Sequence, residues 1–187
     1  NEHDNCGIGF VANIKGQQSN DIVRRGLQVL VNMTHRGAES SDNKSGDGAG
    51  IMMQIPHDFF KTLVPDLPAA GTYGTGLLFL PRDAAEASKC REIIEKYITQ
   101  EGLTLIGYRD VPVNSSCIGE IAKGTEPSIQ QIFVKANMEQ DKLERKLYLV
   151  RKQAEITIRQ SSLLQKQAYY LVSFSTKTFI YKGMLTP

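Results

Sequence analysis

The sequence predicts an α+β fold of layered helices and strands, and three observations support this class. Apolar residues alternate with polar ones in several short segments, as in strands with one buried face. In longer segments they recur at helical spacing. The two kinds of segment follow each other irregularly, with hairpin-like pairs near both ends, which favours antiparallel layers over a doubly wound parallel sheet.

A strand is predicted over residues 7–14, where apolar side chains fall at every second position. Asn20 can cap a helix that runs to about Thr34 and carries one apolar stripe. Gly37 is the expected left-handed stop after this helix.

The next segment is predicted to be a loop followed by three short elements. Residues 38–50 are rich in Ser, Asp and Gly and indicate the loop. A strand over 51–55 is expected to pair with the first strand. Pro56 opens a short helix to about Leu63, and Tyr73 to Leu80 is a strand buried on both faces.

Two long helices are predicted in the second half. Asp83 and Glu86 are spaced as a capping box at the start of a helix that continues to about Gln100. Its inner face comprises Ala87, Cys90, Ile94 and Tyr97. A longer helix is predicted from about Glu139 to Gln160. Its inner face comprises Leu143, Leu147, Val150, Ala154 and Ile158.

The remaining elements are strands, one short helix and a terminal hairpin. Strands are predicted over 103–108 and 128–136, with a short helix within 111–123. The hairpin pairs 169–175 with 178–182. No linker-like stretch indicates an internal domain boundary.

Composition is that of an ordinary globular domain and excludes several classes of partner. The 187 residues suffice for one domain with a core, and 41% are apolar and 22% charged. A formal net charge of +2 is too small to indicate nucleic-acid or anionic-membrane binding. No apolar run approaches the roughly 20 residues that span a bilayer. We therefore expect neither a nucleic-acid nor a membrane partner.

Cysteine and histidine usage argues against a metal site or a disulfide framework. The chain has three cysteines, Cys6, Cys90 and Cys117. The number is odd and no C-x-x-C spacing occurs. The three histidines are scattered along the chain. We therefore expect no metal in this chain and a reducing, cytoplasmic location.

Cys6 is the candidate nucleophile, in the stretch Asn5-Cys6-Gly7-Ile8-Gly9-Phe10. Cysteine attacks as its thiolate, whose ordinary pKa of about 8.5 requires a base, and no local Cys–His signature supplies one. Cutting the Asn5–Cys6 bond would free an α-amine with a pKa of about 8 on the same residue, the N-terminal-nucleophile arrangement. Residues 1–5 would then be the remnant of a leader peptide. The alternative is a buried, inert cysteine on a strand.

Arg36 and the loop Ser45–Gly50 are secondary candidates. Arg36 either only complements the dipole of the first helix or turns toward Cys6, where its charge would favour the thiolate. The loop has glycines but no Lys-Ser/Thr ending, which argues against nucleotide binding. Asp47 and Gly48 are expected to support a tight turn against the strand that holds Cys6, with Asp47 bonding backbone amides.

Three motifs together resemble one known family. They are Asn5-Cys6-Gly7-Ile8-Gly9-Phe10, Met33-Thr34-His35-Arg36-Gly37-Ala38 and Ser45-Gly46-Asp47-Gly48-Ala49-Gly50. In order and spacing they are similar to the N-terminal class II glutamine amidotransferase domain of the glutamate synthase large subunit, and Thr178 to Met184 resembles a later stretch of it. The resemblance implies a four-layer αββα N-terminal-nucleophile hydrolase fold, incomplete in this chain, with residues 6–187 as the N-terminal portion of the domain.

The resemblance also implies the chemistry. Cys6 would attack the side-chain amide of L-glutamine, release ammonia and leave a glutamyl thioester that water hydrolyses. Ammonia would then pass to other domains of the same protein, which aminate 2-oxoglutarate with FMN, an iron–sulfur cluster and an electron-donor subunit. None of these cofactors is expected in this chain. Arg36 occupies the position of a family arginine that lies beside the nucleophile.

Two departures from the family pattern predict low activity for this chain. Residues 1–5 precede Cys6, so the Cys6 nitrogen is an amide rather than a base. No residue matches the family's carboxylate-binding arginine or its Asn-Gly oxyanion pair, and losing one oxyanion donor costs about 10²–10³ in rate. We therefore expect little glutaminase activity from the 187-residue chain alone. Two other functions stay open: a different N-terminal-nucleophile amide hydrolase, and a non-catalytic regulatory domain of the same fold.

Overall fold

The computed structural model describes residues 7–37 and 44–185. Within them the helices are Asn20–Asn32 (α1), His57–Leu63 (α2), Ala84–Gln100 (α3), Glu120–Thr125 (α4) and Gln140–Gln160 (α5). The strands are Ser45–Gln54 (β1), Tyr73–Leu80 (β2), Thr104–Asp110 (β3), Ser128–Lys135 (β4), Tyr170–Leu171 (β5) and Thr178–Leu185 (β6). Short 3₁₀ turns occur at Thr34–Arg36 and Lys166–Ala168. This mixture of helices and sheets confirms the predicted α+β class.

The chain divides into two compact units. Residues 1–51, 114–125 and 181–187 form one, which we call the N-terminal unit. Residues 52–113 and 126–180 form the other, which we call the sheet unit. The boundaries fall inside β1 and inside β6 as well as in the loops beside α4. Composition does not signal this division, because no linker-like stretch accompanies it.

The sheet unit contains a four-stranded antiparallel sheet in the order β3–β4–β2–β5. β2 pairs with β4 along its whole length, from Tyr73 opposite Lys135 to Leu80 opposite Ser128. Along the chain, α3 and α5 each connect two strands that are not neighbours in the sheet. This is the split β-α-β arrangement, which leaves both helices free to cover the same face.

Helices α3 and α5 form the main core of the sheet unit with one face of its sheet. All five predicted inner residues of α5 are buried, so that prediction is confirmed. On α3 three of the four predicted residues are buried, but Ile98 takes the place predicted for Tyr97. Tyr97 is partly buried, and its hydroxyl lies 2.6 Å from Thr157 Oγ1 on α5. A phenol at the edge of a core keeps a hydrogen-bond partner in this way.

Aromatic side chains cover the other face of the same sheet. The ring of Phe60 on α2 meets those of Phe133 and Phe179 edge to face, with both centroid distances 5.5 Å. Tyr73 packs on Phe133 at 6.4 Å, and its hydroxyl lies 3.3 Å from His57 Nδ1. Edge-to-face pairs of this kind add about 0.5–1.5 kcal/mol each beyond the burial of area. β2 is therefore buried on both faces, as predicted.

The start of α3 is tied to a distant loop rather than to a capping box. The main-chain N–H of Glu86 donates to Asp83 Oδ1 at 2.9 Å, so Asp83 is the predicted N-cap. The Glu86 carboxylate instead accepts from the N–H groups of Leu164 and Gln165, at 2.8 and 2.7 Å. The reciprocal half of the capping box is therefore wrong, because two other donors occupy the carboxylate.

The predicted hairpin of 169–175 with 178–182 is also wrong. β5 pairs with β2, and β6 pairs with β1. The intervening chain follows β2, with the N–H of Val172 donating to Leu77 O at 2.9 Å and the N–H of Thr75 to Ser175 O at 3.0 Å. Glu144 on α5 accepts from Ser175 Oγ at 3.0 Å and from the N–H of Thr176, which fixes the turn before β6.

In the N-terminal unit, the alternating stretch 7–14 is not a strand, so that prediction is wrong. Ile8, Phe10 and Ile14 are 97%, 92% and 103% exposed. Alternation predicts a strand only where a neighbouring strand pairs with it, and none does so among the described residues. The N-cap of α1 is Ser19 rather than the predicted Asn20, because Ser19 Oγ accepts from the N–H of Ile22 at 3.4 Å.

The glycine-rich stretch predicted as a loop belongs to β1 from Ser45 onward, so the loop prediction is wrong there; its first part lies outside the described residues. β1 pairs with β6, not with the segment 7–14. At the far end of the pair, the N–H of Ile55 donates to Lys177 O at 3.2 Å. Among residues 7–37 and 44–185, no helix is both long and apolar enough to cross a bilayer.

Candidate functional site

The backbone that follows Cys6 lies directly against the C-terminal half of α1. A Cβ at Gly7 would be 3.0 Å from Met33 Sδ and 3.4 Å from both Cβ and Cγ of Arg36. A Cβ at Gly9 would be 2.5 Å from Val29 Cγ1. Real Cβ contacts are ordinarily 3.4–4 Å, so only glycine fits at residue 9 without displacement.

The turn that carries Arg36 is built by local hydrogen bonds after α1 ends at Asn32. Thr34 Oγ1 donates to Val31 O at 2.7 Å, and the N–H of Arg36 donates to Met33 O at 2.8 Å. Gly37 has φ −95° and ψ 153°, so the predicted left-handed stop is wrong. A 3₁₀ turn ends the helix instead and directs the chain away from it.

Two predicted site residues, Asn5 and Cys6, lie outside the described residues, as does the side chain of Asp47. Cys6 is bonded to Gly7, whose neighbour across the fold is the stem of Arg36. The structure thus brings two of the three motifs together at the residue adjoining the candidate nucleophile. Arg36 itself is exposed.

The third motif is a strand rather than a tight turn. Gly48 has a φ of 112°, a value that L side chains rarely adopt. A Cβ at Gly50 would lie 2.8 Å from Lys182 Cβ and 2.9 Å from Tyr181 O on β6. The glycines therefore serve close pairing of β1 with β6, and the predicted tight turn is wrong.

The first motif and the residue after the third meet α1 at different positions. Gly26 of α1 approaches β1, because a Cβ there would lie 2.9 Å from Ile51 Cδ1. Val29 of the same helix approaches Gly9. All these contacts lie within the N-terminal unit, where α1 meets the first motif, precedes the second and contacts the residue after the third.

The other two cysteines differ in burial. Cys90 is buried in the α3–α5 core as predicted, and burial raises the pKa of its thiol to about 11. Cys117 is exposed, and its Sγ accepts from Asn114 Nδ2 at 3.2 Å. No group of three or more His, Cys, Asp or Glu side chains that could hold a metal occurs in the described part of the chain.

A family model of class-II glutamine amidotransferases matches residues 6–187. The chain belongs to this family. The predicted family is thereby confirmed, and with it membership of the N-terminal-nucleophile hydrolase fold. Among solved structures, the C-terminal domain of the MgtC protein from Mycobacterium tuberculosis covers 65% of the chain at 15% identity. Its TM-score of 0.30 supports no conclusion.

Curated relatives are similar over nearly the whole chain. The glutamate synthase [NADPH] large chain of Bacillus subtilis is 42% identical over 100% of this chain and 12% of its own length. The chloroplastic ferredoxin-dependent glutamate synthase of Oryza sativa subsp. japonica is 43% identical over 96% of this chain and 11% of its own length. The glutamate synthase [NADH] of Saccharomyces cerevisiae is 39% identical over 100% of this chain and 9% of its own length. The chain thus spans between 9% and 12% of these relatives.

Sequence reasoning missed Val29 and Met33, which contact the segment after Cys6. Neither residue has a predicted role, although Met33 opens the second motif. The signal that could have found them is the pair of glycines two residues apart beside Cys6, which requires a surface for close approach.

Proposed function

We propose that this chain is the glutaminase part of a glutamate synthase, with Cys6 as its nucleophile. The observation that carries the proposal is the seating of Gly7, the residue bonded to Cys6, against the stem of Arg36. The class-II family match and the relatives named glutamate synthase support the same reaction. L-Glutamine is the proposed substrate.

The proposed chemistry starts with cleavage of the Asn5–Cys6 bond, which makes Cys6 the first residue. Its free α-amine then accepts the thiol proton, directly or through one water. The thiolate adds to the side-chain carbonyl carbon of glutamine, and collapse of the tetrahedral intermediate breaks the C–N bond. The α-ammonium returns its proton to the departing nitrogen, so ammonia leaves. Water hydrolyses the resulting thioester to glutamate and regenerates the thiol.

Arg36 has a supporting electrostatic role in this proposal. A guanidinium is charged at all working pH values, so near Cys6 it favours the thiolate over the thiol. Its exposed position in a turn fixed by three local hydrogen bonds leaves the guanidinium able to reach the region beside Gly7. Asp47 and Gly48 are proposed only as support for the backbone of β1.

The rest of the synthase reaction is proposed for other domains of the same protein. Ammonia from the glutaminase site would aminate 2-oxoglutarate there, with FMN and an iron–sulfur cluster. The described residues of this chain do not fit such a cluster, which needs several thiolates together, because Cys90 is in the core and Cys117 is isolated. The relatives named for NADPH, ferredoxin and NADH are 42%, 43% and 39% identical, so this domain does not distinguish the electron donor.

The test uses the full-length protein. Intact-mass analysis should find a chain that begins at Cys6, and a glutamine-analogue electrophile should label that residue. Cys6→Ser should abolish glutamine hydrolysis, whereas Cys117→Ser, an exposed cysteine with no assigned role, should leave it unchanged. An unprocessed, unlabelled Cys6 would favour the non-catalytic domain instead. Glutaminase activity without synthase activity would favour a different amide hydrolase.

A further inference from the structure

The N-terminal segment presents its glycines to α1 and its large apolar side chains away from it. Gly7 approaches Met33, and Gly9 approaches Val29, at the distances given above. The two apolar residues that alternate with them are 97% and 92% exposed. Successive side chains of an extended segment point to opposite sides, so the glycine side is the side that faces the helix.

The wider range of backbone angles open to glycine does not explain why residue 9 is a glycine. Gly9 does not have a left-handed backbone, unlike Gly16 with φ 68° or Gly48 with φ 112°. An alanine could adopt the same backbone angles, so the missing Cβ is the property that the fold uses. At Gly9 a Cβ would lie 2.5 Å from Val29 Cγ1, about 1 Å closer than an ordinary contact.

The helix surface under the segment is a defined pair of side chains. Val29 and Met33 are four residues apart and therefore lie on one face of α1. The helix is held in turn by Gly26 against Ile51 of β1. Gly26 and Val29 are three residues apart and lie on the same face of α1, so this face meets both β1 and the segment.

We infer that Val29 and Met33 are positioning residues for the Cys6 nucleophile. The inference rests on the proposed function. A thiolate attacks efficiently only when it is held about 3–3.5 Å from the carbonyl carbon, and a displacement of 1 Å can cost about 10²-fold in rate. Val29 and Met33 lie against the backbone at Gly9 and Gly7, the segment that follows Cys6, and so fix its distance from α1. A change at this contact therefore displaces the backbone to which the nucleophile is bonded.

The test adds a methyl group at residue 9 of the full-length protein and then removes the side chain that it would meet. Gly9→Ala should lower kcat about 10²-fold with little change in KM, because the segment must rise by about 1 Å. The rate at which a glutamine-analogue electrophile labels Cys6 should fall in parallel. Adding Val29→Ala should recover at least about 10-fold of the loss, because it removes the obstructing Cγ1.

The matched control is Gly124→Ala in α4. It makes the same chemical change in the same unit, at an exposed residue with nothing within 4 Å of the added Cβ and no positive φ. Its kinetics should be those of the wild type. A Gly9→Ala variant with wild-type kcat, or a double variant no better than the single one, would overturn the inference.

The experiment also distinguishes a folding defect and a failure of the proposed function from a failure of the positioning role. If Gly9→Ala does not fold, Val29→Ala alone tests the same contact and should lower kcat several-fold at constant KM; an unchanged kcat overturns the inference. If the wild-type protein hydrolyses no glutamine, or Cys6→Ser keeps the activity, the proposed function itself fails. If activity depends on Cys6 but Gly9→Ala does not change kcat, only the positioning role fails.

Discussion

Leu147 in the sheet unit and Leu27 in the N-terminal unit both lie on the apolar face of an amphipathic helix. Leu147 is 0% exposed and belongs to a core closed by α3, α5 and the sheet, whereas Leu27 is 46% exposed. None of the thirteen residues of α1, all of which are described, is buried. Both helices are regular, so helical pattern alone does not distinguish them.

The two units are held together in different ways, one by a buried core and the other by close contacts at glycines. The sheet unit is stabilised by the burial of large apolar side chains in a closed core. The N-terminal unit is held at its motifs by glycines that approach a side chain or a strand within contact distance, such as Gly9 at Val29 and Gly50 at Lys182. The candidate nucleophile and Arg36 belong to the N-terminal unit. There the distance between backbone and neighbouring side chains matters more than the apolar area buried.

The largest expected difference between the units is in thiol reactivity. Burial, with a smaller contribution from Glu86, raises the pKa of the Cys90 thiol to about 11. At pH 8 about one native molecule in 10³ therefore carries its thiolate. We expect alkylation of Cys90 to be at least about 10³-fold slower than that of the exposed Cys117, measured by mass spectrometry of peptides.

The same shift gives a pH dependence with a definite sign. The unfolded thiol ionises near its ordinary pKa of about 8.5, whereas the folded Cys90 thiol has a pKa of about 11. Its contribution to stability is complete below about pH 8.5 and is lost as pH rises toward 11. Equal labelling of the two cysteines at pH 8 would contradict a closed core.

A truncation in each helix tests burial directly. Leu147→Ala should lower the free energy of unfolding by about 2–5 kcal/mol, because it leaves a cavity in the core. Leu27→Ala, the same change on α1, should cost less than about 1 kcal/mol, since its side chain is 46% exposed. Urea unfolding of the two variants measures both values. Similar losses would mean that α1 is as well packed as α5.

Removal of the α3 cap should have a smaller effect. Asp83 Oδ1 accepts from the N–H of Glu86 at 2.9 Å, so Asp83→Ala should cost about 1 kcal/mol in urea unfolding. Asp83→Asn, which keeps an acceptor, is the control and should retain most of the stability. A full loss in the asparagine variant would assign the effect to charge near the helix dipole.

The smallest effect is expected at the cap of α1. The hydrogen bond from the N–H of Ile22 to Ser19 Oγ is 3.4 Å long, at the limit of such contacts. Ser19→Ala should therefore cost about 0.5 kcal/mol or less in urea unfolding. A loss equal to that of Asp83→Ala would show that the two caps are energetically alike.

The sequence predicts the sheet unit well because local pattern and burial agree there. β2 has its predicted bounds, and the inner face of α5 is buried at every predicted position. The errors in this unit concern pairing over long distances. The terminal hairpin fails because its first half is taken up by β2, and the capping box fails because Glu86 meets Leu164 and Gln165.

The candidate site could be predicted as a set of motifs but not as a geometry. Cys6, Arg36 and the glycine stretch are recognisable by resemblance, yet their spacing depends on which backbone each glycine approaches. Glycine permits a turn, a strand or a close contact, and the sequence does not specify which of these applies. The stretch 45–50 therefore reads as a loop and folds as a strand, and Val29 has no local sign of its contact with Gly9.

The hydrogen bond between Ile55 and Lys177 joins the two ends of a long excursion of the chain. The excursion leaves from β1 and returns into β6 at neighbouring points, because these two strands are paired. Residues 114–125 of this excursion belong to the N-terminal unit, so the chain crosses between the two units four times, and deleting the excursion would also remove α4 from the N-terminal unit.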